Sequence, residues 1–159
     1  MTGSHEGIRF LDHTADVGMD VIAPSLEALF RRAAAGMAAL LRGADDELEV
    51  PDRPAPGEAG GQQVGAGQAD AGPRELVEVT ADDVTGLLAA WLKELLYLHE
   101  TRGVEIAGAV FDRLTDTALV ARVATRAAAP VREIKGVTHH ELTVERAGEG
   151  WRARVIFDV

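Results

Sequence analysis

The sequence has no cysteine among its 159 residues. A disulfide framework, a thiolate metal site and a cysteine nucleophile are therefore all excluded. No apolar run approaches the ~20 residues that a membrane-spanning helix needs. The first residues, Met1 to Glu6, lack the basic-then-apolar order of a signal peptide. From these absences we expect a cytoplasmic protein that does not associate with membranes.

The familiar enzyme motifs are missing as well. The sequence has no phosphate-binding loop, no GxGxxG pattern, no nucleophile elbow and no HExxH pattern. An acyl-transfer or kinase activity therefore has no residues on which it could rest.

Positive charge is scarce. Lysine and arginine number 16 against 26 acidic residues, which gives a formal net charge of −10. Nucleic-acid binding draws on Lys and Arg side chains that neutralise phosphates and release counterions. The only dense basic positions are Arg31 with Arg32 and Arg152 with Arg154, and both pairs look like ordinary surface positions. We therefore expect a protein partner with a basic surface, and no direct binding of RNA.

The apolar content, 47% of all residues, is sufficient for one folded domain over residues 1–159. Residues 43–73 differ in composition, since they hold seven of the 17 glycines and four of the six prolines. Such a stretch cannot bury enough surface to offset the entropy lost on ordering. We expect a flexible Gly/Pro-rich loop at about 43–73 within the single domain.

Hydrophobic periodicity predicts two helices and several strands. The first helix begins at Ser25, and Gly43 is expected to end it. The second begins with a capping box of Thr80 and Asp83, and its apolar stripe includes Trp91 as a core residue. Strands are predicted over residues 6–13, 17–23, 74–79, 104–111, 117–125, 141–146 and 151–159. This order favours an α+β fold, with a mostly antiparallel sheet packed with two main amphipathic helices.

Two short acidic motifs lie near opposite ends of the sequence: FLDHTADVG over residues 10–18 and VIFDV over residues 155–159. Each sets a carboxylate beside large apolar residues, where an unpaired charge would be costly if buried. Asp158 and Val159 are expected to present two acidic groups, the second being the terminal carboxylate. A hard divalent cation is the simplest ligand that collects carboxylates from distant segments. The alternatives are that Asp12 only caps a turn and that Asp158 is only solvated.

These two motifs resemble the archease family, together with SLEALF over residues 25–30, EIKGVTH over 133–139 and the last strand over 151–159. The resemblance implies an accessory protein of an RtcB-type RNA ligase, which joins RNA ends during tRNA splicing and RNA repair. That ligase works through a guanylylated histidine formed with GTP. The resemblance implies that the protein is not an enzyme and helps the ligase to reach this activated state. RNA would be contacted only indirectly, through the ligase.

The resemblance also assigns roles to particular residues. Asp12 is expected to hold a divalent cation with Asp158 and Val159. All-oxygen ligation suits Ca²⁺ or Mg²⁺ rather than zinc. Lys135, in the run over residues 133–139, is expected to contact the ligase or a phosphate-bearing group with its compact charge.

His13 and Asp16 are further candidates for partner contact or activation. His13 could ligate a softer metal or act as a base, although a structural role is the simpler interpretation. Asp16 either joins the site as a further acid or shapes the turn before Gly18. His139 departs from the family pattern, in which an aromatic residue is more usual, and this affects the packing of the predicted loop around Lys135.

Two other classes of function remain open. A stand-alone metal-dependent hydrolase would use Asp12 and Asp158 as ligands and His13 as a base. A chaperone-like adaptor would bind many clients and would not depend on a ligase.

Overall fold

The computed structural model describes residues 7–12, 16–43, 74–130 and 132–159. These residues form two helices and seven strands: β1 (Gly7–Asp12), β2 (Asp16–Ala23), α1 (Leu26–Leu41), β3 (Arg74–Thr80), α2 (Val84–Arg102), β4 (Val104–Leu114), β5 (Ala118–Ala127), β6 (Gly136–Ala147) and β7 (Gly150–Asp158). The predicted loop lies outside the described residues except for Gly43. That glycine has φ 93° and donates its N–H to the Leu40 carbonyl at 2.9 Å, so it ends α1 as predicted.

The strands form two antiparallel sheets. The first sheet has the order β1-β2-β7-β6, and the second sheet has the order β3-β5-β4. Helix α1 contacts β1, β2 and β7 of the first sheet and β4 of the second, while α2 contacts β6 of the first and all three strands of the second. The helices therefore form a layer between the sheets. The α+β class and the antiparallel pairing are confirmed, with the strands divided between two sheets.

Helix α1 is buried on most of its circumference because sheets lie on both sides of it. Ser25 caps its first turn by accepting the Ala28 N–H at 3.1 Å. Arg32, expected at the surface, is 1% exposed, so that expectation was wrong. Its guanidinium donates to the Ile22 carbonyl of β2, which satisfies a polar group that the central layer would otherwise leave buried and unpaired.

Helix α2 confirms the predicted apolar stripe and corrects the predicted cap. Trp91 is fully buried and donates its indole N–H to the Phe30 carbonyl at 3.0 Å. The centroids of the Trp91 and Phe111 rings are 5.3 Å apart. Thr80 does not cap the helix because it pairs with Ala118 at the end of β3. Asp83 caps the helix instead by accepting the Gly86 N–H at 2.7 Å. None of the described helices is long and apolar enough to cross a membrane.

Strand β6 is longer than predicted and is interrupted. The segment before residue 141 was predicted as a loop, but β6 starts at Gly136, where it pairs with the end of β7. Thr138 aligns with Ile156 and Thr143 with Arg154, so four residues of β6 face one residue of β7. We refer to residues 139–142 as the β6 bulge. Glu141 within it has φ 56°, a left-handed conformation that is uncommon for a non-glycine residue.

The hairpin of β4 and β5 is confirmed, with a shorter turn than predicted. Its turn is limited to residues 115–117 because β4 continues to Leu114. The Thr115 hydroxyl accepts the backbone N–H of Ala118 at 3.0 Å and that of Thr117 at 3.2 Å, which stabilises the tight connection.

Candidate functional site

Four chain segments meet at one end of the first sheet. Strand β1 ends at Asp12, β2 begins at Asp16, β6 begins at Gly136 and β7 ends at Asp158. Because neighbouring strands are antiparallel, these two starts and two ends lie at the same end of the sheet. We call this region, with Lys135 just before β6, the acidic end.

Asp16 and Asp158 are directly opposite each other in the register of β2 and β7. Asp158 is exposed and Asp16 is partly exposed. Within the described part of the chain, neither carboxylate has an ion-pair partner. Like charges directly opposite each other destabilise a strand pair, and a cation between the two carboxylates would remove this repulsion. The oxygen donors available here suit a hard divalent cation.

Asp12 lies at the end of β1, where it aligns with Val17 of β2, and Val17 aligns in turn with Phe157 of β7. The prediction that the first and last strands are near neighbours is confirmed, since only β2 separates them. Two strand spacings amount to about 10 Å. The Asp12 side chain and the whole of His13 lie outside the described residues, so their assignment as ligand and partner contact stays a prediction.

Lys135 is brought to the acidic end by anchors on both sides of it. Its backbone N–H donates to the Asp158 carbonyl at 2.7 Å. Ile134, the preceding residue, is 1% exposed in the core, and the Arg132 N–H donates to the Leu41 carbonyl at 3.1 Å. The Lys135 side chain is exposed. A backbone anchored on both sides thus places an exposed lysine at the acidic end.

Val159 follows β7 and packs, partly buried, against the main hydrophobic core. Phe157 is fully buried on the same face of the strand. The end of β7 is therefore held by apolar contacts, which fixes the position of Asp158 between them.

An ion-pair network that sequence reasoning missed stabilises the two strands behind the acidic end. Arg154 of β7 donates to both carboxylate oxygens of Asp20 in β2, at 2.8 and 3.0 Å. Arg152 lies 3.7 Å from the same carboxylate. Burial opposes ionisation of Asp20, but the Arg154 hydrogen bonds and the charges of Arg154, Arg152 and Arg9 hold its pKa below the ordinary value. The only sign of this network in the sequence was the alternation of side chains between the two faces of β2 and β7.

The β6 bulge is attached to this network. Glu141 lies 3.6 Å from Arg154 and His140 lies 3.2 Å from Glu141. The His139 ring nitrogen Nε2 is 2.9 Å from Nζ of Lys93 on α2. Among the side chains that the structure describes, no group of three or more His, Asp or Glu residues is arranged to hold a metal ion. A cation at the acidic end would therefore draw ligands beyond Asp16 and Asp158.

Comparison with known proteins gives a match over most of the chain. A sequence profile of the Archease protein family (MTH1598/TM1083) matches residues 9–53 and 63–159. The chain is 29% identical over 157 residues to Protein archease of Archaeoglobus fulgidus, with 95% of this chain and 98% of the relative covered. It is 28% identical over 160 residues to Protein archease of Thermococcus gammatolerans, with 93% and 95% covered.

Two solved structures share the fold. The solution structure of protein 1598 of Methanobacterium thermoautotrophicum matches with a TM-score of 0.67 and 25% identity, over 96% of this chain and 99% of that one. The crystal structure of an archease from Thermotoga maritima, described as a possible chaperone, matches with a TM-score of 0.56 and 19% identity, over 94% of both chains.

Proposed function

Because the chain belongs to the archease family, we propose that it is a metal-binding accessory protein that activates an RtcB-type RNA ligase. It would promote GTP-dependent guanylylation of the ligase and repeated turnover in tRNA splicing and RNA repair. The observation that carries the proposal is the convergence of Asp12, Asp16, Asp158 and Lys135 at one end of the first sheet. Asp12 and Asp16 are far from Lys135 and Asp158 in the sequence, and it is the fold that brings the four residues to one end of the sheet.

The metal part of the proposal rests on the donor set. Asp158 would supply one carboxylate to a Ca²⁺ or Mg²⁺ ion, with Asp12 and Val159 as the other protein ligands. Asp16 stands opposite Asp158 and would lie within or beside this ligand set. A cation bound here would neutralise the acidic end and fix the ends of β1 and β7 relative to each other.

Lys135 would act toward the partner. Its ammonium group is a compact, strongly hydrated point charge suited to a carboxylate or phosphate oxygen of the ligase. The hydrogen bond from its backbone to the Asp158 carbonyl anchors the Lys135 backbone next to the proposed cation site. A preorganised contact of this kind costs less ordering entropy on binding than a mobile loop would.

Activation would follow from differential binding. An accessory protein shifts a conformational equilibrium only if it binds one state more tightly than the other. The acidic end would bind the ligase conformation that is competent for guanylylation, where a basic surface faces it. The net charge of −10 favours encounter with a basic protein surface over encounter with RNA.

The experiment is to measure ligase–GMP formation by an RtcB-type ligase with GTP, in the presence and absence of this protein. Wild-type protein should accelerate guanylylation, and Lys135→Ala should lose most of the acceleration. Lys93→Ala is the matched control, because Lys93 is the only other lysine in the sequence and lies on α2. Equal acceleration by wild type and Lys135→Ala would contradict the proposed role of Lys135, and no acceleration by wild type would contradict the function.

The two alternative functions, a stand-alone hydrolase and a chaperone-like adaptor, predict different results for the same purified protein. A stand-alone hydrolase would turn over phosphoesters without any ligase, and Asp158→Ala would abolish that turnover. A chaperone-like adaptor, the class suggested by the description of the Thermotoga maritima protein, would suppress aggregation of unrelated client proteins, and Lys135→Ala would leave that effect intact.

A further inference from the structure

Strand β3 is an edge of the second sheet. Within the described residues it pairs on one side only, with β5, and all seven of its residues stay in one unbroken register. It contains no proline and no lysine, the residues that commonly protect sheet edges. Of the other edge strands, β4 and β6 are each interrupted by register shifts, whereas β1 keeps one register but is one residue shorter than β3. Strand β3 therefore offers a regular row of backbone donors and acceptors to another strand.

The outer face of β3 carries four exposed residues in alternation: Arg74, Leu76, Glu78 and Thr80. Leu76 is 63% exposed. In the described part of the chain, Tyr97, at 58%, is the only other large hydrophobic residue that is exposed. Arg74 and Glu78 lie two residues before and two residues after Leu76. In the part of the chain that the structure covers, neither of them has an ion-pair partner.

We propose that β3 pairs antiparallel with β3 of a second copy of this chain, about a twofold axis at Leu76. In this register Leu76 lies opposite the partner's Leu76. Arg74 lies opposite the partner's Glu78, and the symmetric pair forms on the other side of the axis. The strand is thus self-complementary, which is what a twofold interface requires. The two second sheets join into one continuous six-stranded sheet.

The neighbouring register is less favourable. Centring the axis on Val77 would place Leu76 opposite the partner's Glu78, and would lose both the apolar contact and the ion pairs. With the axis at Leu76, Glu75 on the inner face lies opposite the partner's Val77. The Glu75 carboxylate is already paired with Arg102 of α2, so this alignment adds no unpaired charge.

The dimer leaves the acidic end free, because that end belongs to the first sheet on the other side of the helix layer. A dimer built on β3 would therefore present two acidic ends at once. This inference does not depend on the proposed ligase partner, and it is tested on the purified protein alone.

The first test is disulfide trapping. The sequence has no cysteine, so Leu76→Cys creates a single thiol at the proposed axis. Opposite residues of antiparallel strands have Cα atoms about 4.5–5.5 Å apart, within the range of about 4.4–6.8 Å that a disulfide bridges. Mild oxidation should give a cross-linked dimer with Leu76→Cys and little with Tyr97→Cys, a similarly exposed control. Equal cross-linking of the two variants would overturn the proposal.

The second test is a charge exchange followed by sedimentation velocity over a range of concentrations. Wild type should dimerise reversibly. Arg74→Glu and Glu78→Arg, made singly, should each weaken dimerisation at least about tenfold, because each places like charges opposite each other twice. The double variant, Arg74→Glu with Glu78→Arg, should restore it. A wild type that stays monomeric throughout, or a double variant no better than the single ones, would overturn the proposal.

Discussion

Asp16 and Asp158 face each other across β2 and β7 at the end of the first sheet, although 142 positions separate them in the sequence (158 − 16). The repulsion between their carboxylates is a cost that the folded protein carries unless a cation lies between them. This arrangement, and not the number of acidic residues, is what singles out this end of the molecule. It leads to a prediction that needs no partner protein.

Asp158→Asn should stabilise the metal-free protein by a few tenths of a kcal/mol, because it removes one of the two opposed charges. If the proposed cation site exists, Ca²⁺ or Mg²⁺ should raise the melting temperature of wild type, because a bound ion stabilises the folded state by mass action. Asp158→Asn should lose this rise. Thermal unfolding with and without each ion measures both effects.

Glu149→Gln is the matched control for Asp158→Asn. Glu149 is an exposed acidic residue in the β6–β7 turn, at the opposite end of the same strand pair. It should keep the ion-dependent rise in melting temperature. If Asp158→Asn keeps that rise as well, the cation does not bind at the acidic end.

The Asp20–Arg154 pair predicts a dependence of stability on pH. The pKa of Asp20 is lower in the folded protein than in the unfolded chain, so its contribution is present above the ordinary value of 3.8 and is lost as the pH falls below it. Arg154→Met should therefore cost about 1–2 kcal/mol at pH 7 and less at pH 3. Urea unfolding at the two pH values measures the difference.

Arg122→Met provides the comparison for Arg154→Met. Arg122 makes the same two-bond contact, with Asp112, at 2.9 and 2.8 Å. That pair is exposed, whereas the Asp20 side chain is only 11% exposed. Arg122→Met should cost less than Arg154→Met at pH 7. The opposite order would mean that burial does not strengthen the Asp20 contact.

Gly150→Ala should destabilise the fold by about 1–3 kcal/mol, because small-to-large changes in close-packed positions force the backbone to move. A Cβ atom at this position would lie 2.4 Å from the Ala23 carbonyl oxygen and 3.2 Å from Cα of Pro24, both backbone atoms. Gly136→Ala, where a Cβ would meet nothing within 4 Å, should change the free energy of unfolding little. Denaturant unfolding of the two variants gives the comparison, and equal costs would contradict the close approach at Gly150.

Replacing residues 54–71 by a short Gly/Ser link should leave the melting temperature nearly unchanged. The stretch is rich in glycine and proline, and halving a loop changes its closure entropy by only about 0.6 kcal/mol. The family profile also leaves residues 54–62 unmatched. Calorimetry of the shortened chain measures the effect, and a large loss of stability would show that the segment packs against the domain.

Local features of the fold could be predicted from the sequence. Three predicted features are present in the structure: the apolar stripe of α2 that includes Trp91, the end of α1 at Gly43 and the β4–β5 hairpin. Each of them depends on hydrophobic periodicity or on a single turn residue. The cap of α2 was misplaced because Thr80 and Asp83 both have capping side chains. Only the pairing of Thr80 with Ala118 decides between them.

Features that depend on the whole fold could not be predicted. Arg32 was expected at the surface because the sequence of α1 does not show that sheets cover the helix on two sides. In the structure they do, and Arg32 is buried. Asp20 and Arg154 are 134 positions apart, and their pairing depends on a register that period-two alternation leaves open. For the candidate site, the family resemblance indicated Asp12, Asp158 and Lys135, but nothing in the sequence indicated the direct opposition of Asp16 and Asp158.

The hydrogen bond from the Arg132 N–H to the Leu41 carbonyl links two parts of the chain with different tasks. Leu41 is the last residue of α1, two positions before Gly43. Arg132 is three positions before Lys135. The end of α1 is thus tied by a backbone hydrogen bond to the segment that leads to Lys135. We therefore expect changes at the end of α1 to alter the position of Lys135, although the helix end and the acidic end are far apart in the sequence.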